Sequence, residues 1–256
     1  MFDLWVGTAL VFNFAVAVVA ALAGGIASIA GFGIGSLLTP LLASQYGMNV
    51  AVGAVAVPHV IATALRFWRL RPYVDRRVFL GFGLMNAGGS LAGALLHVWV
   101  NRRWGNHPIL SIVLGLLLVF AGLIGVLGYA DRMRFRRGAA WAAGCISGMF
   151  GGLVGNQGGI RSAAMLGLGV QGPAFVATAT GIGLVVDAVR MPVYFATGAA
   201  AILQAWQPIL AGIAGVVLGT LIGERLLRRL PEKLFRRVVS AILLVVGAYL
   251  LIASSR

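Results

Sequence analysis

Charge is what this chain has least of. Only 10% of its 256 residues are charged, where a soluble domain of ordinary composition carries about 25%. The single cysteine, Cys145, excludes an internal disulfide, and the three well-separated histidines form no metal motif with it. No paired acidic motif, no His-Glu metal spacing and no nucleophile beside an obvious base occurs. Asp75, Asp131 and Glu232 lie in basic stretches and read as ordinary loop charge. Enzyme chemistry, a metal and a cofactor therefore find no support. Long polar linkers and a soluble domain are also missing.

What the chain has in abundance is apolar length. Hydrophobic residues make up 60% of it, and runs near 20 residues recur from end to end, the length that crosses a bilayer as a helix. The expected fold class is an all-α integral membrane protein. Its 37 glycines would weaken soluble helices but suit membrane helices in close contact. The formal net charge is +14. Nucleic acid is the usual partner of so basic a chain, but here the arginines fall mostly in short loops between apolar spans. There they set orientation and meet anionic lipid. The start, MFDLWVGTAL, lacks the basic opening of a secretory signal, so a retained first span is expected.

Long spans are predicted at about 4–23, 48–68, 78–100, 108–130, 172–195, 205–224 and 236–255. Two apolar segments, 24–46 and 138–171, are broken by clustered glycines and are expected to form paired short or interrupted helices. Shifting the chain by 124 residues sets Gly24 on Gly148, Gly31 on Gly155, Gly35 on Gly159 and Arg66 on Arg190. With a shift of 126, Gly89 meets Gly215 and Gly93 meets Gly219. This near-constant offset predicts two repeats of about five transmembrane elements, 1–130 and 131–256, within one membrane domain. Five crossings per half bring the loops 69–77, 131–137 and 225–237, with fourteen basic residues, to one face; the other keeps Arg102, Arg103 and Arg256. The positive-inside rule prefers that arrangement, and an odd number of crossings makes the repeats inverted.

Charges inside spans cost at least a few kcal/mol each, so they line polar cavities or find partners. Arg161, Asp187 and Arg190 fall within apolar spans, and Arg66 near the end of one. As repeat mates, Arg66 and Arg190 are expected near a pseudo-twofold axis, where two guanidinium groups would clamp a carboxylate, sulfonate or phosphate. Competing readings stay open: Arg66 snorkelling with Arg69 and Arg71, Arg190 paired with Asp187, and Arg161 bonded to carbonyls freed by glycines. Gly155-Asn156-Gln157-Gly158-Gly159 reads as a break between half-helices, with Gly31-Phe32-Gly33-Ile34-Gly35 as its mate. The half-helices starting near Gly159 and near Gly35-Ser36 would each turn free N–H groups toward one anion, with Asn156 and Gln157 orienting it. Asp187 could carry a coupling proton or hold Arg190. His59 could be a proton site or polar packing.

The duplicated motif AGGIASIAGFGIGSLLTPLL (23–42) and SGMFGGLVGNQGGIRSAAML (147–166) resembles the TauE/SafE family of sulfite and organosulfonate exporters. ATATGIGLVVDAVRMPVYFATG and the closing stretch from Gly215 to Leu251 extend the resemblance over nearly the whole chain. Phe32 and Ile34 depart from the family's glycine-triplet pattern. The resemblance implies a multi-pass permease of the bacterial inner membrane that exports sulfite or another small sulfonate. Its partners would be that anion and the bilayer, and a homo-oligomer is compatible with it; proton coupling stays the open option read from Asp187 and His59. An anion channel and a non-transporting membrane scaffold are the other classes left open.

Overall fold

Glycine placement decides where the apolar runs bend. The structure, a computed structural model, describes residues 2–105, 107–128, 137–223, 225 and 231–255. Arg132, Arg134 and Arg136, Glu224, Arg228 and Arg229 lie outside the described residues. The described chain is helical without a strand: α1 (Phe2–Ala30), α2 (Ile34–Leu70), a 3₁₀ turn (Arg71–Tyr73), α3 (Arg76–Trp104), α4 (Ile109–Val126), α5 (Arg137–Val154), α6 (Gly158–Gly167), α7 (Gly172–Gln204), α8 (Trp206–Leu218) continuing as a π turn (Gly219–Gly223), and α9 (Glu232–Ser254). Among the described residues, six helices are long and apolar enough to cross a membrane, with two shorter apolar ones at Gly138–Val154 and Trp206–Ile222. Leu10, Phe14, Leu80, Leu84 and Val245 lie on the outer surface, as lipid contact requires.

The segment 24–46 differs from its expected form. Residues 24–30 do not start a new short helix but complete α1. Gly24 leaves that helix intact because it serves contact instead: a Cβ there would strike the backbone of Val216 and Thr220. The real break comes at Gly31-Phe32-Gly33, where Gly31 has φ 74° and Gly33 φ 134°, values glycine tolerates at little cost. The chain turns back there, since Gly33 lies against Ile26 and the Ala23 carbonyl. A second non-helical point, Gly47, divides α2, and Gly198 kinks α7. The break in 138–171 falls at Gly155-Asn156-Gln157, between α5 and α6, as expected. Here too the chain folds back, with Ser147 donating to the Gln157 carbonyl at 3.0 Å.

Helix directions follow from which residues meet. Gly89 and Gly93 of α3 lie against Cys145 and Met149 of α5, so those helices run parallel. Gly215 and Gly219 lie against Ala17 and Ala21, so α1 and the α8 stretch are parallel as well. In the centre Gly53 meets Tyr194, Gly183 meets Thr63 and His59, and Gly181 meets Phe67. Thus α2 and α7 cross antiparallel, as do α4 and α9, where Gly115 meets Leu251 and Gly122 meets Leu244.

These backbone-to-backbone contacts expose the packing to a direct test. Gly93 abuts the Met149 carbonyl and the Leu153 amide, whereas Gly88, five residues earlier, has open space around it and faces outward. Gly93→Val should cost about 1–3 kcal/mol through overpacking, lowering the melting temperature of the detergent-solubilised protein by several degrees. Gly88→Val should leave it within about 0.5 kcal/mol of wild type; equal melting temperatures for the two variants would contradict the α3–α5 contact.

Candidate functional site

The interior cluster begins with a carboxylate that is completely buried. Asp187 of α7 has no exposed surface, and both of its oxygens are engaged. Oδ1 accepts from Arg190 Nε at 2.9 Å and pairs with Arg190 Nη2 at 2.7 Å. Oδ2 lies 2.6 Å from Nδ1 of His59, which α2 brings across from the other half of the chain. A polar group at this depth must be paired, because no water competes for it.

Arg190 lines one of two interior cavities but is bound mainly to protein groups. Besides Asp187 it donates from Nη1 to the Gly151 carbonyl at 2.6 Å. Gly151 sits in the last turn of α5, where four carbonyls lack intrahelical partners and the dipole end is negative. Two more of these are taken by side chains: Tyr194 Oη donates to Gly152, and His97 Nδ1 contacts the Leu153 carbonyl at 2.7 Å. The His97 and Tyr194 rings meet edge to face, with centroids 5.4 Å apart. So His97, which its position near a span end would assign to the interface, is buried and caps a helix. The Arg190–Asp187 ion pair read as one option from the sequence is present, and so is a carbonyl bond for Arg161, from Nη2 to Gly31 at 2.8 Å.

Arg66 and Arg161 are different. Both are buried, at 5% and 3% exposure, so Arg66 does not snorkel with Arg69 and Arg71. Arg66 donates from Nη2 to Thr63 at 3.2 Å. Its Nε and Nη1 have no partner, and neither do Nε and Nη1 of Arg161. Buried donors left unpaired cost about 1–3 kcal/mol each, more when charged. Three guanidinium groups here face one carboxylate, an excess of positive charge that an anion would offset.

Two small adjoining cavities receive these groups. The first is lined by Ala27, Gly31, Phe32, Gly33, Ile34, His59, Thr63, Arg66, Arg161, Ala179, Thr180 and Gly183. The second is lined by Phe32, Gly33, Gly35, Ser36, His59, Gly155, Asn156, Gln157, Gly158, Arg161 and Arg190. Phe32, Gly33, His59 and Arg161 belong to both. The two chain breaks meet at this place: Gly35 abuts the Gly155 carbonyl, and Ser36 Oγ donates to Asn156 Oδ1 at 3.3 Å. At the start of α6 the Gly158 amide also reaches Asn156 Oδ1, at 3.4 Å.

The sequence-predicted residues thus gather, with two exceptions. Gly159 is exposed and turned toward Ala121, because α6 starts at Gly158 and the next residue points away. Arg66 and Arg190 line different cavities rather than one clamp. Antiparallel crossing is the reason: with Gly183 opposite Thr63, Arg66 lies on one side of the crossing and Arg190 on the other. Arg161 is the guanidinium common to both. Asp187 lines neither cavity but is bonded to His59 and Arg190, which do.

A helical membrane protein with a buried, cation-rich interior site at two broken helices is the class these features define. Residues 6–250 match the sequence model of the sulfite exporter TauE/SafE family, and the chain belongs to that family. Membership implies a membrane transporter for sulfite-like anions, a transport protein rather than an enzyme. No curated protein and no solved structure matches the chain.

Proposed function

We propose that the protein is a secondary exporter of a small sulfur-containing anion, sulfite or an organosulfonate, in the bacterial inner membrane. The observation that carries this reading is the unpartnered N–H groups of Arg66 and Arg161, buried beside an excess of positive charge. Oxyanions of sulfur present several strong acceptors to such donors. Asn156, Gln157 and the amides of the glycine-flanked breaks would orient the anion.

The repeats 1–130 and 131–256 are proposed to be inverted. Their support is the pairing pattern: α1 lies along α8 as α5 lies along α3, and α2–α7 and α4–α9 each join corresponding elements. Such a plan suits alternating access around a central site. The coupling ion is proposed to be a proton exchanged at His59, which touches both cavities and Asp187.

The test is transport by the purified chain in sealed vesicles. Sulfite should move against its own gradient when a proton gradient is imposed, and a protonophore should stop it. Movement only down the sulfite gradient, untouched by the protonophore, would indicate a channel; no movement of any anion would indicate a scaffold.

A further inference from the structure

The two cavities are stacked rather than side by side. Asp75, which follows the 3₁₀ turn Arg71–Tyr73, donates its amide to Thr178 at 2.9 Å, so the start of α7 lies at the basic-loop face. The first cavity takes Ala179, Thr180 and Gly183 from that end of α7, and Thr63 and Arg66 from the loop-proximal end of α2. The second takes Arg190 from further along α7 and Gly155 to Gly158 from the α5–α6 break. Phe32 lines both, and its side chain is packed directly on Gly158; a Cβ on that glycine would collide with it.

We propose that Phe32 is the interior gate between two anion positions that share Arg161, one with Arg66 toward the basic-loop face and one with Asn156, Gln157 and Arg190 toward the opposite face. This rests on the transporter reading above. A gate must be apolar, must stand on the path and must be able to move. Phe32 is the apolar side chain common to both cavities. It stands in a break outside any helix, between two glycines with φ of 74° and 134°, so its backbone can swing without unwinding α1 or α2. The corresponding position in the other half is Asn156, which is polar and places no second ring on the path. Arg161 spans both cavities, so an anion passing the ring exchanges Arg66 for Arg190 without losing Arg161. That continuity avoids a fully desolvated, unpaired anion midway.

The experiment compares wild type, Phe32→Ala and Phe32→Leu in vesicles, using sulfite. Equilibrium binding is measured on the same proteins. Phe32→Ala should bind sulfite within about threefold of wild type, while sulfite flux without a proton gradient rises about tenfold and ceases to saturate. Phe32→Leu, which keeps an apolar side chain, should restore most of the saturable, gradient-dependent behaviour. Wild-type-like flux in Phe32→Ala with binding intact would overturn the gate alone. Folded wild type that neither binds nor moves sulfite would overturn the transporter reading, and the gate with it.

Discussion

Asp187→Asn is expected to be the most damaging single substitution in the interior. The asparagine keeps the shape but removes the only negative charge that Arg190 and His59 meet there among the described residues. Removing one partner of a buried ion pair costs about 3–5 kcal/mol, and the membrane interior offers Arg190 no water in its place. That is a large fraction of a typical folding free energy of 5–15 kcal/mol. The purified variant should therefore show a sharply lowered melting temperature or fail to yield a monodisperse peak in detergent. His59→Gln should be milder, since Arg190 would still hold Asp187. A melting temperature for Asp187→Asn equal to that of wild type would contradict the assignment of Asp187 as the interior counter-charge.

Arg161→Ala is expected to separate binding from folding. Its guanidinium makes one hydrogen bond to the protein, to Gly31, and leaves Nε and Nη1 free. Truncating a charged partner in a buried pair costs about 2–5 kcal/mol of binding, so sulfite affinity should fall by at least about thirtyfold. Stability should hold, because the substitution removes an unbalanced buried cation. Arg190→Ala should do the reverse and strike stability first, since it strips Asp187 of its guanidinium partner and leaves the Gly151 carbonyl only the Gly155 amide. Calorimetric titration alongside thermal unfolding distinguishes the two variants. If Arg190→Ala folds normally and loses sulfite while Arg161→Ala keeps it, the roles given to the two arginines are reversed.

The membrane class and both chain breaks were legible in the sequence because their signals are local. Runs of apolar residues and clusters such as Gly31-Phe32-Gly33 and Gly155-Asn156-Gln157 mark spans and interruptions without reference to the rest of the fold. The near-constant offset between the halves matches segments that touch in the fold, α2 with α7 and α4 with α9. What it could not give was the crossing of α2 and α7. Residues that this offset matches lie on opposite sides of the antiparallel crossing, which is why Arg66 and Arg190 line separate cavities. Burial of Arg66 was equally hidden, since Arg69 and Arg71 follow it and a snorkelling cluster has the same local pattern. His97 and Tyr194 gave no motif at all. Their task, satisfying the carbonyls at the end of α5, exists only once α3, α5 and α7 are packed. Gly24 and Gly25 looked like a break and are part of α1, because glycine in a membrane helix signals close packing as readily as interruption.

The most direct test of the central claim is equilibrium binding of sulfite to the purified, folded protein, measured for wild type and Arg161→Ala. The interior site described here predicts saturable binding by wild type and its loss in the variant at an unchanged melting temperature. Equal binding by the two proteins, or none by folded wild type, would contradict it.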